Sequence, residues 1–138
     1  MSTRSPAYHH GDLRNALILA AAELIEERGG ADFAMVDAAR RAGVSSAAPY
    51  RHFSDKTALL DAVIDFAFFT LGEQVAAVVQ TEPHGSAEAI IAIGKAYIRF
   101  VCEHPPFYGL MWGDAGIRAI REKESDERSA AGFYVLMT

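Results

Sequence analysis

Apolar positions recur at helical spacing along most of the chain, and no stretch alternates as a strand does. Leu13, Ala16, Leu17, Ala20 and Leu24 form one stripe, with Asp12 placed to cap a first helix and Gly29-Gly30 to stop it. Val36, Ala38, Ala39 and Ala42 give a second, shorter stripe, with Arg40 and Arg41 on its polar side. Gly43 ends that helix, because a residue without Cβ adopts the left-handed conformation at little cost. Ser45 is a good cap for a following helix of about two turns, in which Pro49 falls late for a first-turn proline. Ser54 then introduces a long helix that carries Leu60, Val63, Ile64, Ala67, Phe68, Leu71, Val75 and Val78 on one side. That helix is expected to reach Gln80, where Glu82-Pro83-His84-Gly85 breaks it. Ser86 caps another, with Ile90, Ile93, Tyr97, Ile98 and Val101 at helical spacing, and His104-Pro105-Pro106 closes it. The expected fold class is all-α.

The tight turn around Gly43 carries the functional information. Val44 can plug the angle between two helices, and the short helix after it presents Ser46, Ala47, Ala48 and Arg51. Small side chains there let a backbone come close to base edges, while Tyr50, His52 and Lys56 stand where they can donate to phosphate oxygens. On spacing alone the same residues also describe an ordinary helical corner. Tyr50 is then a partly buried tyrosine, His52 a surface histidine without a role, and Arg40 and Arg41 a solvated face.

Charge separates two regions of the chain. The total is −5, but residues 1–56 hold seven Lys/Arg and seven Asp/Glu, and residues 57–138 hold six against eleven. Between Arg40 and Lys56 four bases face Asp55 alone, a local +3. Attraction to phosphate follows that local balance and not the sum. The first eight residues read as a loose arm, either disordered without function or, through Arg4, reaching a minor groove.

The segment Ala42-Gly43-Val44-Ser45-Ser46-Ala47-Ala48-Pro49-Tyr50-Arg51-His52-Phe53-Ser54-Asp55-Lys56-Thr57-Ala58-Leu59-Leu60 resembles the DNA-binding signature of the TetR family of bacterial transcriptional regulators. The opening Tyr8-His9-His10-Gly11-Asp12-Leu13-Arg14 resembles the start of one branch of that family, and the likeness covers roughly residues 8–64. It implies phosphate contacts at Tyr50, His52 and Lys56, turn residues at Gly43 and Ser45, and a base-reading face of Ser46, Ala47, Ala48 and Arg51. Arg40 and Arg41 are candidates for flanking phosphate contacts beside the solvated-face reading, and Phe53 and Val44 look like the plugs of the recognition helix. The partners implied are a double-stranded DNA operator and a second copy of the chain. One position departs from the pattern. Ala34 stands where the family caps its second helix with Ser or Thr, so that start either frays or is capped by Asp32.

Residues 1–56 therefore read as an arm and three-helix helix-turn-helix domain, and residues 57–138 as a helical effector-binding and dimerisation domain. The stretch from Tyr97 to Trp112 resembles the helix-break-helix of ligand-binding domains in the same branch. With Phe66 and Phe69 from the long helix, Tyr97, Phe100, Phe107, Tyr108, Met111 and Trp112 are expected to line a pocket for a small apolar effector. A plain hydrophobic core is the alternative for each of them. Ala130 to Thr138 begins an apolar helix with Phe133, Tyr134, Val135, Leu136 and Met137, which reads as a second domain cut short. The rival function is a helical small-molecule-binding or interaction module that has lost competent DNA binding.

Other chemistry finds little support. Five histidines (9, 10, 52, 84, 104) show no metal-ligand spacing, and no phosphate loop or nucleophile elbow is present, so neither an enzyme nor a cofactor or metal is expected. Cys102 is the sole cysteine and reads as a small buried residue. Apolar runs are interrupted by charge, no signal peptide is visible, and a cytoplasmic location away from membranes is expected.

Overall fold

The computed structural model describes residues 10–123, which form six α-helices and one 3-10 turn without a strand among them. In chain order these are α1 (His10–Arg28), α2 (Met35–Ala42), the 3-10 turn (Ala48–Arg51), α3 (Lys56–Val79), α4 (Ala87–Glu103), α5 (Pro105–Trp112) and α6 (Asp114–Lys123). The Ala130–Thr138 stretch lies outside the described residues.

A single apolar cluster runs through the protein. Leu17, Leu24 and Ile25 of α1 meet Phe33, Met35 and Ala38 around α2, then Phe53, Leu59 and Val63, and continue to Leu71, Val75, Phe100, Phe107 and Met111. α3 is the spine of this arrangement, because it packs against α1 at one end and against α4 and α5 along the rest. The expected division between residues 56 and 57 falls on its first turn. By length and composition α3 also qualifies as a membrane span. Its apolar side is instead core, with Leu59, Val63, Ile64, Leu71 and Val75 nearly inaccessible.

Several helix boundaries follow the sequence, and others shift by a few residues. Ser86 caps α4 by accepting from the Ala89 amide at 3.1 Å, and α3 yields to its C-cap at Gln80. Asp55, not Ser54, caps α3, its carboxylate accepting from the Ala58 amide at 2.8 Å. The ionised side chain one residue later is the stronger acceptor for an unpaired helix amide. Asp12 is not a cap either, because α1 begins two residues earlier and holds it within the first turn, where its charge suits the helix dipole. Cys102 is exposed, not buried. α6 was not foreseen as a separate helix. Gly116 near its start lies so close to the Met111 carbonyl that a Cβ there collides with α5 backbone.

Two polar contacts tie the later helices to the first ones. His104, at the break between α4 and α5, places Nδ1 on Glu26 of α1. Arg118 of α6 donates to Asp61 of α3 at 3.0 Å.

Candidate DNA interface

Gly43 closes α2 in the left-handed conformation, φ 73°, and its amide together with that of Val44 satisfies the last carbonyls of the helix. The chain then turns sharply. The Ser45 carbonyl accepts from the Ala48 amide at 3.1 Å, and the Pro49 carbonyl accepts from both His52 and Phe53 at 3.0 Å. The expected two-turn helix is a single 3-10 turn, preceded by Ser46 and Ala47. Its N-cap is Ala47 without a side-chain bond, so Ser45 does not act as the cap. Pro49 now falls in the first turn of a shorter element, where its missing amide costs nothing. The position that looked late in a longer helix is a normal one here.

This contraction sorts the side chains into two sets. Ala48, Pro49 and Phe53 are buried against α2 and the core, whereas Ser45, Ser46, Ala47, Tyr50 and Arg51 face solvent. Ala48 was expected on the exposed face and is 7% exposed, because the tighter turn rotates its methyl inward. Tyr50 is 56% exposed, so it is not a core tyrosine. His52 is half-buried, with Nε2 inaccessible and without a hydrogen-bond partner among the described residues. Its Nδ1 is therefore the ring atom left for an external acceptor.

The basic residues divide in a way that sequence spacing did not show. Arg41 forms a two-pronged pair with Glu27 on α1, at 2.7 and 2.6 Å, and lies 3.6 Å from Glu23. The Arg41 hydrogen bond holds the Glu27 carboxyl below its ordinary pKa. Arg28 contacts Asp37 at 3.2 Å and the Asp32 carbonyl at 2.9 Å. Lys56 donates to the Ala31 carbonyl and stands 4.7 Å over the Phe33 ring, so in this state its ammonium is turned to the protein. Arg40 is three-quarters exposed and, among the described residues, has Asp37 as its ion-pair partner, at 3.8 Å. Arg51 has no ion-pair partner among the described residues. The local +3 counted along the sequence thus includes Arg41, whose charge α1 already neutralises.

The start of α2 does not fray and is not capped by Asp32. Ala34 offers no side-chain acceptor, but Asp37 reaches back to accept from the Ala34 amide at 2.8 Å, which is the reciprocal half of a capping box. This bond, then Arg28, holds the Asp37 carboxyl below its ordinary pKa. A carboxyl whose folded pKa is lowered contributes stability above its unfolded pKa and loses it as pH falls through the folded one. Asp37→Ala is accordingly expected to lower the thermal midpoint by a few degrees at pH 7 and progressively less below about pH 4, where wild type loses the same contribution. Thermal melts of both chains across that range check this.

The eight residues expected around an effector do not share one environment. Phe100, Phe107 and Met111 belong to the core, at 2%, 7% and 1% exposure, and Tyr97 is partly buried against it. Phe66, Phe69, Tyr108 and Trp112 are exposed, and Trp112 meets Phe68 edge-on at 5.9 Å. Phe68, absent from the expected set, bridges core and surface. Among the described residues no group of three or more His, Cys, Asp or Glu gathers as a metal site.

A compact helical head that projects a short turn with small and basic residues, held by a left-handed glycine and an apolar plug, is a helix-turn-helix DNA-binding unit. Residues 17–63 match the family model described as bacterial regulatory proteins, tetR family. The likeness to that family is carried by this N-terminal stretch. It is 31% identical over 104 residues to the nucleoid occlusion factor SlmA of Marinomonas sp. (strain MWYL1), a match covering 75% of this chain and 52% of that protein. The chain thus spans about half the length of this curated relative. A solved structure of a protein of unknown function from Rhodococcus sp. RHA1 superposes with a TM-score of 0.69 at 28% identity, over 97% of this chain and 82% of that one.

Proposed function

We propose that this chain is a sequence-specific, DNA-binding transcriptional regulator of the cytoplasm that acts as a homodimer and responds to a small apolar effector. One observation carries the reading. The turn unit buries Ala48, Pro49 and Phe53 while presenting Ser46, Ala47, Tyr50 and Arg51 outward. Phe53 and Pro49 fix the unit to the core, so the outward residues meet DNA as a rigid edge. Arg51 supplies a forked donor for guanine or phosphate, Ser46 and Ala47 permit close approach, and Tyr50 with His52 Nδ1 set the register on phosphates. Lys56 joins them by leaving the Ala31 carbonyl when a phosphate competes for it.

Two half-sites require two heads, and α4 offers a surface for the partner. Its Ile90, Ile91 and Ile98 are exposed at helical spacing on the side away from the core, a face that a helix turns to another apolar surface. The effector would enter among Phe66, Phe69, Tyr97, Tyr108 and Trp112, over the core that Phe100, Phe107 and Met111 fill. It acts through α3, the helix that joins this region to the head. An effector that prefers one spacing of the two heads shifts operator affinity by that preference alone.

The test is selection of bound duplexes from a random-sequence pool, followed by anisotropy titration of the recovered duplex. Enrichment of a two-fold symmetric site with half-sites about one helical turn apart supports the reading. No enrichment over input sequence, with the chain folded, favours the helical interaction module that does not bind DNA. The likeness to a nucleoid occlusion factor gives a second DNA-bound reading, nucleoid occlusion without gene control. Unchanged transcript levels on deleting the gene favour it over repression.

A further inference from the structure

We infer that Arg14, on the second turn of α1, is a phosphate anchor of the DNA interface, flanking the turn unit from outside the helix-turn-helix itself. The inference rests on the proposed function and deepens it.

In a chain of net charge −5, carboxylates outnumber bases, and the arginines of the head that have structural work have found them. Arg41 is paired with Glu27 and Glu23, and Arg28 with Asp37. Arg14 is different. It is exposed, it has no ion pair among the described residues, and its guanidinium lies 5.4 Å over the ring of Phe53.

Phe53 is the apolar plug that directly follows Tyr50, Arg51 and His52, so Arg14 sets a positive charge on the rim of the reading turn. The aromatic face holds the planar cation without satisfying its hydrogen-bond donors. Those donors remain available in the forked geometry that matches a phosphate. Solvent-exposed arginine over a fixed ring is thereby preorganised at little entropic cost. The opening motif ends on this residue but gives it no role, because the contact joins positions 39 apart (Arg14 to Phe53).

Among the described residues of the head, Arg14, Arg40 and Arg51 are then the guanidinium groups left largely unneutralised, against the four bases between Arg40 and Lys56 that sequence counting gives. Arg51 lies on the turn itself, Arg40 on α2 before it and Arg14 on α1 beside its end. Two flanks and a centre are what a helix-turn-helix needs to grip a groove between phosphates on either side.

The experiment measures affinity by anisotropy, from about 50 to 200 mM KCl, for the selected duplex and for an unrelated duplex of equal length. The chains compared are wild type, Arg14→Ala, Arg14→Lys and Arg41→Gln. Arg14→Ala is expected to weaken both duplexes by the same factor, about five- to tenfold at low salt, and to reduce the salt slope by about one. Arg14→Lys keeps the charge without the planar stack and should keep the slope. Arg41→Gln should melt earlier than wild type and leave the slope unchanged.

An unchanged slope in Arg14→Ala overturns the inference, as does a loss confined to the selected duplex. Should Arg14→Ala prove poorly folded, a further chain, Arg14→Gln, which keeps the side-chain stem and removes the charge, decides. A slope reduced by about one upholds the phosphate role, and a wild-type slope in that folded chain assigns Arg14 to packing alone. Failure of the wild-type chain to bind either duplex is a different result and sinks the proposed function along with this one.

Discussion

Phe53→Ala is expected to destabilise the chain by about 3–5 kcal/mol, the usual cost of truncating a buried phenylalanine. The ring is 4% exposed and belongs to the apolar cluster shared by α1, α2 and α3. Removing it leaves a cavity in the cluster that α1, α2 and α3 share. The preceding turn is held by the Pro49 carbonyl and one 3-10 geometry, neither of which can collapse inward to refill the space. It also removes the surface on which Arg14 rests. Urea unfolding followed by circular dichroism reads the stability loss as a lower midpoint at unchanged slope. DNA affinity of the folded fraction should fall as well, because the reading turn loses its fixed attachment. Phe53→Leu keeps most of the volume and separates the two effects. It should recover most of the stability, and whatever affinity it fails to restore belongs to the ring.

Arg51→Ala is expected to leave stability close to wild type and to reduce affinity for the selected duplex by about 5- to 150-fold, the equivalent of about 1–3 kcal/mol for a good two-pronged base contact. Arg51 is exposed on the 3-10 turn and has no ion pair to lose among the described residues, so its removal is expected to alter chiefly what lies outside them. The pattern across sequences matters more than the size. If Arg51 reads a base, the variant accepts substitutions at one position of each half-site that wild type rejects. If it holds a phosphate, both cognate and unrelated duplexes weaken together and the salt slope falls by about one. Competition titration with single-base variants of the selected duplex distinguishes these outcomes. Equal affinities of wild type and variant for every duplex remove Arg51 from the interface.

How much of this was legible depends on how far apart the interacting residues lie. Gly43 was readable because a left-handed helix end is a local need that glycine meets by itself. Ser86 and the break after Gln80 were readable for the same reason, each being set within a turn of chain. The choice between Ser54 and Asp55 was not, since adjacent residues both make caps and only the geometry of the preceding turn aims one of them. The second-helix start required Asp37 to reach backward to Ala34, a bond with no signal in the alanine at the cap position.

Nonlocal contacts were out of reach altogether. Arg41 looked like part of a basic patch because its neighbours are basic, but its partner Glu27 stands on another helix 14 residues earlier. Arg14 closes the opening motif, but nothing along the chain ties it to Phe53. Ala48 was misplaced because small residues suit both a buried contact and a groove-facing surface, and the 3-10 turn decided between them. The aromatic residues of the later helices showed a related ambiguity. Density of rings along α4 and α5 does not separate Phe100 and Met111 in the core from Tyr108 and Trp112 at the surface.

The account turns on one surface, the segment from Gly43 to Lys56 with Arg14 beside it. Amide chemical-shift mapping of the 138-residue chain, titrated with the selected duplex, tests that surface most directly. The account predicts shifts concentrated at Gly43–Lys56, around Arg14 and at Arg40, with α4 and α5 little changed at matched oligomeric state. Shifts centred on α4 or α5, with the turn unit unmoved, would contradict it and place the nucleic acid on a different face of the molecule.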